Sequence, residues 1–163
     1  MAKNTKDPDS YAWSALRIVM GYIFFWAFID KLFGFGYATC KGLSVGCKQA
    51  WLHGGSPTAG FLGHATTGPF ASFYHHLAGH ALVDWAFMLG LLFVGVGLLF
   101  GTWIKSAAVV AMAMLALMWS SLLWPANTPG VDEHIVYIFI MFGLLVTSSK
   151  PLWTVKIPWI KLP

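Results

Sequence analysis

Four apolar segments, each long enough to cross a lipid bilayer, constrain this sequence more than any other feature. They cover about residues 12–35, 82–104, 106–124 and 130–149. A helix needs about 20 residues to cross a hydrocarbon core of about 30 Å. Hydrophobic residues make up 58% of the chain and charged residues only 10%, which is typical of membrane proteins. The sequence therefore predicts one all-α integral membrane domain, a bundle of four transmembrane helices.

The lysines predict the orientation of this bundle. Most of them lie before the first span, between the second and third spans, and after the fourth: Lys3, Lys6, Lys105, Lys150, Lys156 and Lys161. With four spans these positions share one side, which the positive-inside rule places in the cytoplasm. We therefore expect both termini inside, with a cytoplasmic tail at 150–163. We also expect a retained first span rather than a cleaved signal peptide, and no nucleic-acid partner, because the basic residues are dispersed.

The connection between the first two spans, residues 36–80, is much longer than most helix connections and is predicted to have structure of its own. A short helix is expected to end at Gly54, and two more are expected to start after Ser56 and Gly68, each followed by proline. These apolar pieces carry no charge. We expect them to form a lid over the outer ends of the bundle.

Cys40 and Cys47 are the two cysteines of the chain, and both lie in this connection. The compartment outside the cytoplasmic membrane permits disulfides, so a structural disulfide is favoured. A redox-active pair is an alternative, but the spacing is not C-x-x-C. Two free thiols are the third possibility.

Charged and titratable side chains lie near the outer ends of the spans. A charge at membrane depth costs about 2.5–3.5 kcal/mol even on insertion scales, so it requires a partner, a cavity or an interface. Counting residues along the helices brings one set to about the same outer depth: Asp30, Lys31, Asp84, Glu133 and His134. We expect a functional site here. Each residue also has a structural alternative, either a snorkelling lysine or a carboxylate favoured in the first turn of a helix.

The fourth span is predicted to begin near Pro129, with Thr128 as its cap. The uncharged run that follows His134 is too short to cross the membrane without these additional residues. Asp132, Glu133 and His134 would then occupy the first turn of the helix.

Histidines and the single arginine complete the set of candidates. His80 would share a helical face with Asp84, and His76 would join them if the helix continued through Gly79. The spacing of these two histidines is that of a metal-ligand pair, but no zinc motif surrounds them, and we expect no metal site. Arg17 is predicted to snorkel toward the headgroups, with an acidic partner inside the bundle as the alternative.

Several segments, in the same order along nearly the whole chain, resemble the DoxX/DoxD family of membrane proteins. They are LRIVMGYIFFWAFIDKLFGFGYAT, AWLHGGSPTAGFL, GPFASFYHHLAG, DWAFMLGLLFVGVGLLFG and VDEHIVYIF. The resemblance is greatest to the DoxD branch, the small membrane subunits of thiosulfate:quinone oxidoreductases. It implies a four-helix bundle in the cytoplasmic membrane of a prokaryote.

This resemblance also implies a function, the transfer of electrons from thiosulfate to a membrane quinone, which is the one cofactor-like substrate expected. Lys31 would attract the anion, and protons would be exchanged by Asp30, Asp84, Glu133 and His134. A second set would bind the quinone: Arg17, Trp26, Phe28, Phe33 and His80. No metal or nucleotide is expected.

No redox cofactor motif is visible in the sequence, so a second protein subunit or a larger membrane complex is expected as partner. The alternative function is that of a noncatalytic membrane subunit that anchors or assembles a redox or respiratory complex. A transporter is a third possibility, with little support because no inverted repeat is visible.

Overall fold

The computed structural model describes residues 8–125, 128–147 and 151–155. Within these ranges every regular element is helical. A short 3₁₀ helix at Trp51–His53 and a π-helix at Phe61–Ala65 lie in the long connection. The five α-helices are α1 (Pro8–Phe33), α2 (Ala71–Leu77), α3 (Ala81–Phe100), α4 (Ile104–Ser121) and α5 (Glu133–Val146).

Three of these helices, α1, α3 and α4, are each long and apolar enough to cross a membrane. Together they indicate a multi-pass membrane protein. The fourth apolar helix, α5, has 14 residues. At 1.5 Å per residue it rises about 21 Å, which is less than the hydrocarbon core of about 30 Å.

The start of α5 corrects the predicted start near Pro129. The helix begins at Glu133, because the carboxylate of Asp132 caps it and not the hydroxyl of Thr128. Oδ1 of Asp132 accepts hydrogen bonds from the backbone N–H groups of His134 (3.0 Å) and Ile135 (3.4 Å). An aspartate in this position satisfies first-turn donors and fixes the helix end.

The helices pack in the order α1, α3, α4, α5, and their facing sides form one apolar core. Two glycines let α1 and α3 approach closely. A Cβ atom on Gly21 would lie 2.7 Å from the backbone nitrogen of Leu99, and one on Gly95 would lie 2.7 Å from that of Phe25. Close approach through small residues is typical of membrane helix pairs. At its far end α3 stops at Phe100, before the predicted residue 104, because Gly101 has a left-handed φ of +71°.

The long connection contacts three of the long helices. The 3₁₀ helix of the connection packs on α1, and the side chains of Ser56 and Thr58 bond to Asp84 in α3. Its α2 reaches α4, where the hydroxyl of Tyr74 bonds to the carbonyl oxygen of Leu117 at 3.1 Å. Cys40 and Cys47 form a disulfide with a Cα–Cα distance of 5.8 Å.

Part of the predicted topology rests on residues that the structure does not describe. The end of the fourth predicted span, at 148–149, lies outside the described residues, as do most of the lysines that set the orientation: Lys3, Lys6, Lys150, Lys156 and Lys161.

Candidate functional site

Asp30 is buried in the last turns of α1, where its carboxylate holds the beginning of the long connection. Oδ2 accepts hydrogen bonds from the backbone N–H groups of Ala38 (2.9 Å) and Thr39 (2.8 Å), and Oδ1 accepts one from Tyr37 (3.2 Å). These bonds fix the chain immediately before Cys40. The side chain therefore has a structural function that does not depend on catalysis.

Replacing Asp30 with alanine is expected to loosen this turn and to lower the free energy of unfolding by about 1–2 kcal/mol, because three N–H groups lose their acceptor. Asp30→Asn retains an acceptor oxygen and should cost less. Faster reduction of the Cys40–Cys47 disulfide by a mild thiol in the alanine variant would show the loosening. Unchanged reduction kinetics and unchanged stability would contradict it.

Lys31 extends from α1 toward α3. Its ammonium group lies 5.7 Å from the centre of the Phe87 ring, a cation–π contact. Within the described residues Lys31 forms no hydrogen bond or ion pair. The ammonium group is thus held against an aromatic ring of the neighbouring helix and forms no hydrogen bond or close ion pair with Asp30.

Asp84 is buried in the first turn of α3 and anchors the long connection to that helix. Its Oδ1 accepts hydrogen bonds from the hydroxyls of Ser56 (2.8 Å) and Thr58 (2.5 Å), and from the Thr58 backbone N–H (3.3 Å). Ser56 also accepts a bond from the backbone of Ala59 at 3.0 Å. Ser56, after which a short helix was predicted to start, thus also bonds to a buried acid, a contact that the sequence did not reveal.

His80 lies one turn before Asp84, whose backbone N–H donates to the His80 carbonyl oxygen at 3.0 Å, but His80 is not itself part of α3. It is the exposed residue before α3, with extended backbone, and Gly79 separates it from α2 with a φ of +75°. Because the helix does not continue through Gly79, the i, i+4 histidine pair does not form. His76 instead contacts the carbonyl oxygen of Ser72 through Nδ1, at 2.6 Å.

Asp132 and His134 form a close pair at the start of α5. Nδ1 of His134 lies 2.8 Å from Oδ2 of Asp132, while Oδ1 of Asp132 caps the helix. His134 is only 8% exposed. Glu133 between them is exposed. One potential metal-ligand atom from each of Asp132, Glu133 and His134 lies within 4.8 Å of the other two. The cap makes the orientation of the imidazole rigid, because one carboxylate binds both the backbone and the ring.

The predicted outer set is therefore divided among several local arrangements. Within the described ranges, no hydrogen bond or ion pair joins Asp30, Asp84 and His134 to one another. Asp30 bonds to the chain after α1, Asp84 to the middle of the connection, and His134 to Asp132. Of these, only the Asp132–His134 pair joins two titratable side chains.

The contacts of Arg17 differ from both sequence-based alternatives, which were snorkelling toward the headgroups and pairing with an acid inside the bundle. It is 1% exposed, so it does not snorkel, and no acid pairs with it in the described part of the chain. Its guanidinium donates to the carbonyl oxygens of Leu98 and Leu99 at the end of α3. It also donates to those of Leu152 (2.8 Å) and Trp153 (3.2 Å). A cation at a helix C-terminus is favoured by the helix dipole.

The segment at 151–155, called the C-terminal segment below, is attached through further bonds. The backbone N–H of Leu152 donates to the hydroxyl of Ser14 at 2.9 Å, and that of Val155 donates to the carbonyl of Phe100 at 2.9 Å. Arg17 thus lies in the N-terminal half of α1, about 24 Å along the helix from Phe33, and not with the predicted quinone-binding aromatics.

The aromatic residues predicted to bind the quinone do not lie together. Trp26 belongs to a row of rings on the outside of the protein, with centroid distances of 5.2–6.1 Å between neighbours: Tyr22, Trp26, Phe33, Phe35 and Tyr37. Phe28 instead packs against the apolar core. Residues 26 and 33 are seven positions apart and share a helical face, whereas residue 28 faces away from them.

Over the residues that the structure describes, fold and site together define an apolar, all-helical, multi-pass membrane protein with a disulfide-closed connection and an Asp–His pair whose imidazole is buried. The chain matches no protein-family model, no curated protein and no solved structure.

Proposed function

We propose that this protein is a quinone-linked membrane subunit of an oxidoreductase, in which the Asp132–His134 pair transfers protons to or from the quinone. The observation that carries the proposal is the buried imidazole of His134, held 2.8 Å from a carboxylate. Imidazole is the side chain best suited to proton exchange near neutral pH. A carboxylate on Nδ1 orients the ring and leaves Nε2 for a substrate.

The proposed reaction follows from the resemblance to the DoxX/DoxD family. Two thiosulfate ions join through a new S–S bond to form tetrathionate and release two electrons. The quinone takes up these two electrons and two protons to become a quinol. This chain would bind the quinone and deliver protons, and a partner subunit would carry the electrons, because the sequence has no redox cofactor motif.

The proposal includes four spans, α1, α3, α4 and α5, in a cytoplasmic membrane, with both termini inside. The Cys40–Cys47 disulfide supports an outer position for the long connection, because that compartment is oxidising. Exposed Lys105, in the first turn of α4, supports a cytoplasmic position for the opposite end of the bundle. With this topology the Asp132–His134 pair lies on the outer side.

The experiment is reduction of a short-chain quinone by the purified native membrane complex, with and without thiosulfate. We expect thiosulfate-dependent reduction that falls about tenfold or more in His134→Ala, because the proton donor is removed. Asp132→Asn should also slow the reaction while preserving the fold, since asparagine caps helices as well as aspartate does. His64→Ala, which removes an exposed histidine elsewhere, should reduce quinone at the rate of the unmodified complex.

A noncatalytic subunit that anchors or assembles a larger complex is the second candidate. One observation favours it: Arg17, Asp30 and Asp84 all bond within the chain, which explains their presence without any substrate. If quinone reduction does not respond to thiosulfate, or if His134→Ala is as active as the unmodified complex, this second function replaces the first.

A further inference from the structure

A cavity of about 250 Å³ lies where the long connection meets the start of α3. Its walls are formed by Asp84, Ser56, Ala81, Trp51, Trp85 and three glycines. At about 30 Å³ per water molecule in the liquid, the volume corresponds to roughly eight waters. The cavity therefore has room for a molecule of a few heavy atoms but is too small for most drug-sized ligands.

The charge in this cavity is a carboxylate. Asp84 is 6% exposed, and its three hydrogen-bond donors all bond to Oδ1. In the described part of the chain Oδ2 accepts no hydrogen bond and no cation lies within ion-pair distance of Asp84. Buried charges in proteins are normally paired with an opposite charge, so this one is suited to a cationic ligand.

Two indole rings complete the recognition chemistry. Trp51 and Trp85 meet edge to face, with centroids 4.7 Å apart and an interplanar angle of 73°. The faces of such rings carry partial negative charge and attract ammonium groups, an attraction that increases when water is displaced. The Ser56 and Thr58 hydroxyls already donate to Asp84 and are not available for a neutral carbonyl or an anion.

We propose that this cavity binds a small organic cation, with the ammonium group against Asp84 and the indole rings of Trp51 and Trp85. The ammonium group belongs either to a free amine or to a lipid headgroup. Anions, thiosulfate among them, are repelled from the cavity by the carboxylate. The proposal does not depend on quinone chemistry, because it involves neither His134 nor Asp132.

The test uses the full chain, purified in a nonionic detergent, with tetramethylammonium and ethylammonium chloride as probes. Binding is measured by isothermal titration calorimetry and by the shift of the thermal unfolding midpoint. We expect saturable binding with a millimolar Kd, as befits a ligand of so few atoms. Sodium chloride at equal ionic strength and tert-butanol, a neutral molecule of similar shape, should not bind.

Two variants locate the site. Asp84→Asn keeps an oxygen that accepts the bonds from Ser56 and Thr58, so the variant should fold, but ammonium binding should weaken about tenfold. Ala81→Leu leaves the carboxylate in place and fills the cavity from an exposed position, so it should weaken binding as well. Glu133→Gln, which removes an exposed carboxylate elsewhere, is the control with the same charge change and should bind the probes normally.

Binding of tert-butanol as strong as that of tetramethylammonium would overturn the proposal, as would unchanged ammonium binding in both Asp84→Asn and Ala81→Leu. Absence of saturable binding would also overturn it. The source of the ammonium group is decided in nanodiscs of phosphatidylglycerol, alone or mixed with phosphatidylethanolamine. If the lipid headgroup occupies the cavity, phosphatidylethanolamine raises the apparent Kd of ethylammonium. An unchanged Kd assigns the cavity to a free amine.

Discussion

Arg17→Ala is expected to detach the C-terminal segment and to lower the free energy of unfolding by about 3–5 kcal/mol. The guanidinium is buried and bonds to four carbonyl oxygens, two at the end of α3 and two in the segment. Its removal leaves those acceptors without donors at a site from which water is largely excluded. It also leaves a void in the place of one of the largest fully buried side chains of the described chain.

Two measurements separate the effects of this substitution. Unfolding of the purified protein in detergent micelles, followed by tryptophan fluorescence during titration with dodecyl sulfate, reports the loss of stability. Limited proteolysis with mass spectrometry reports release of residues 151–155, where cleavage should become faster in Arg17→Ala.

Arg17→Lys and Lys105→Gln are the informative controls. Lysine keeps the positive charge but cannot reach both pairs of carbonyls with a planar fork, so its stability should be intermediate. Lys105→Gln removes an exposed charge near the same end of α3 and should change stability by less than about 0.5 kcal/mol. If Arg17→Ala and Lys105→Gln unfold at the same detergent concentration, the bonding role assigned to Arg17 is wrong.

Gly95→Leu is expected to force α1 and α3 apart and to lower the free energy of unfolding by about 3 kcal/mol. A Cβ atom at this position would lie 2.7 Å from the backbone nitrogen and 2.8 Å from the Cα of Phe25. Both partners are helix backbone, so neither can move aside without shifting a whole helix. The same unfolding titration in micelles measures the loss.

Alanine substitutions at three glycines test whether the loss of stability depends on the atoms that the added methyl group contacts. At Gly95 it meets backbone, at Gly90 it meets the flexible end of Met114, and at Gly60 it meets nothing within 4 Å. We expect the destabilisation to decrease in that order. Equal stability of Gly95→Ala and Gly60→Ala would show that α1 and α3 do not pack as closely as the structure has them.

Local patterns predicted part of the candidate site, and tertiary contacts decided the rest. The acid–histidine start of α5 was recognisable, but the cap was assigned to Thr128, because the need for a longer span outweighed the local signal of Asp132. His76 could join His80 only if a helix continued through Gly79, and the left-handed backbone of Gly79 interrupts it. Trp26 and Phe28 are two positions apart, so helical periodicity already places them on opposite faces, and grouping them in one quinone site ignored this spacing.

By itself, the sequence determined that the protein is an all-helical membrane protein with long apolar helices, because apolar length and low charge are properties of composition and order along the chain. Only the tertiary structure decided what its buried charged groups contact. Arg17 bonds to carbonyls 81 to 136 positions away, and Asp84 bonds to hydroxyls 26 and 28 positions away. Every residue has a backbone carbonyl and hydroxyls are common, so no residue pattern distinguishes such partners before the helices are packed.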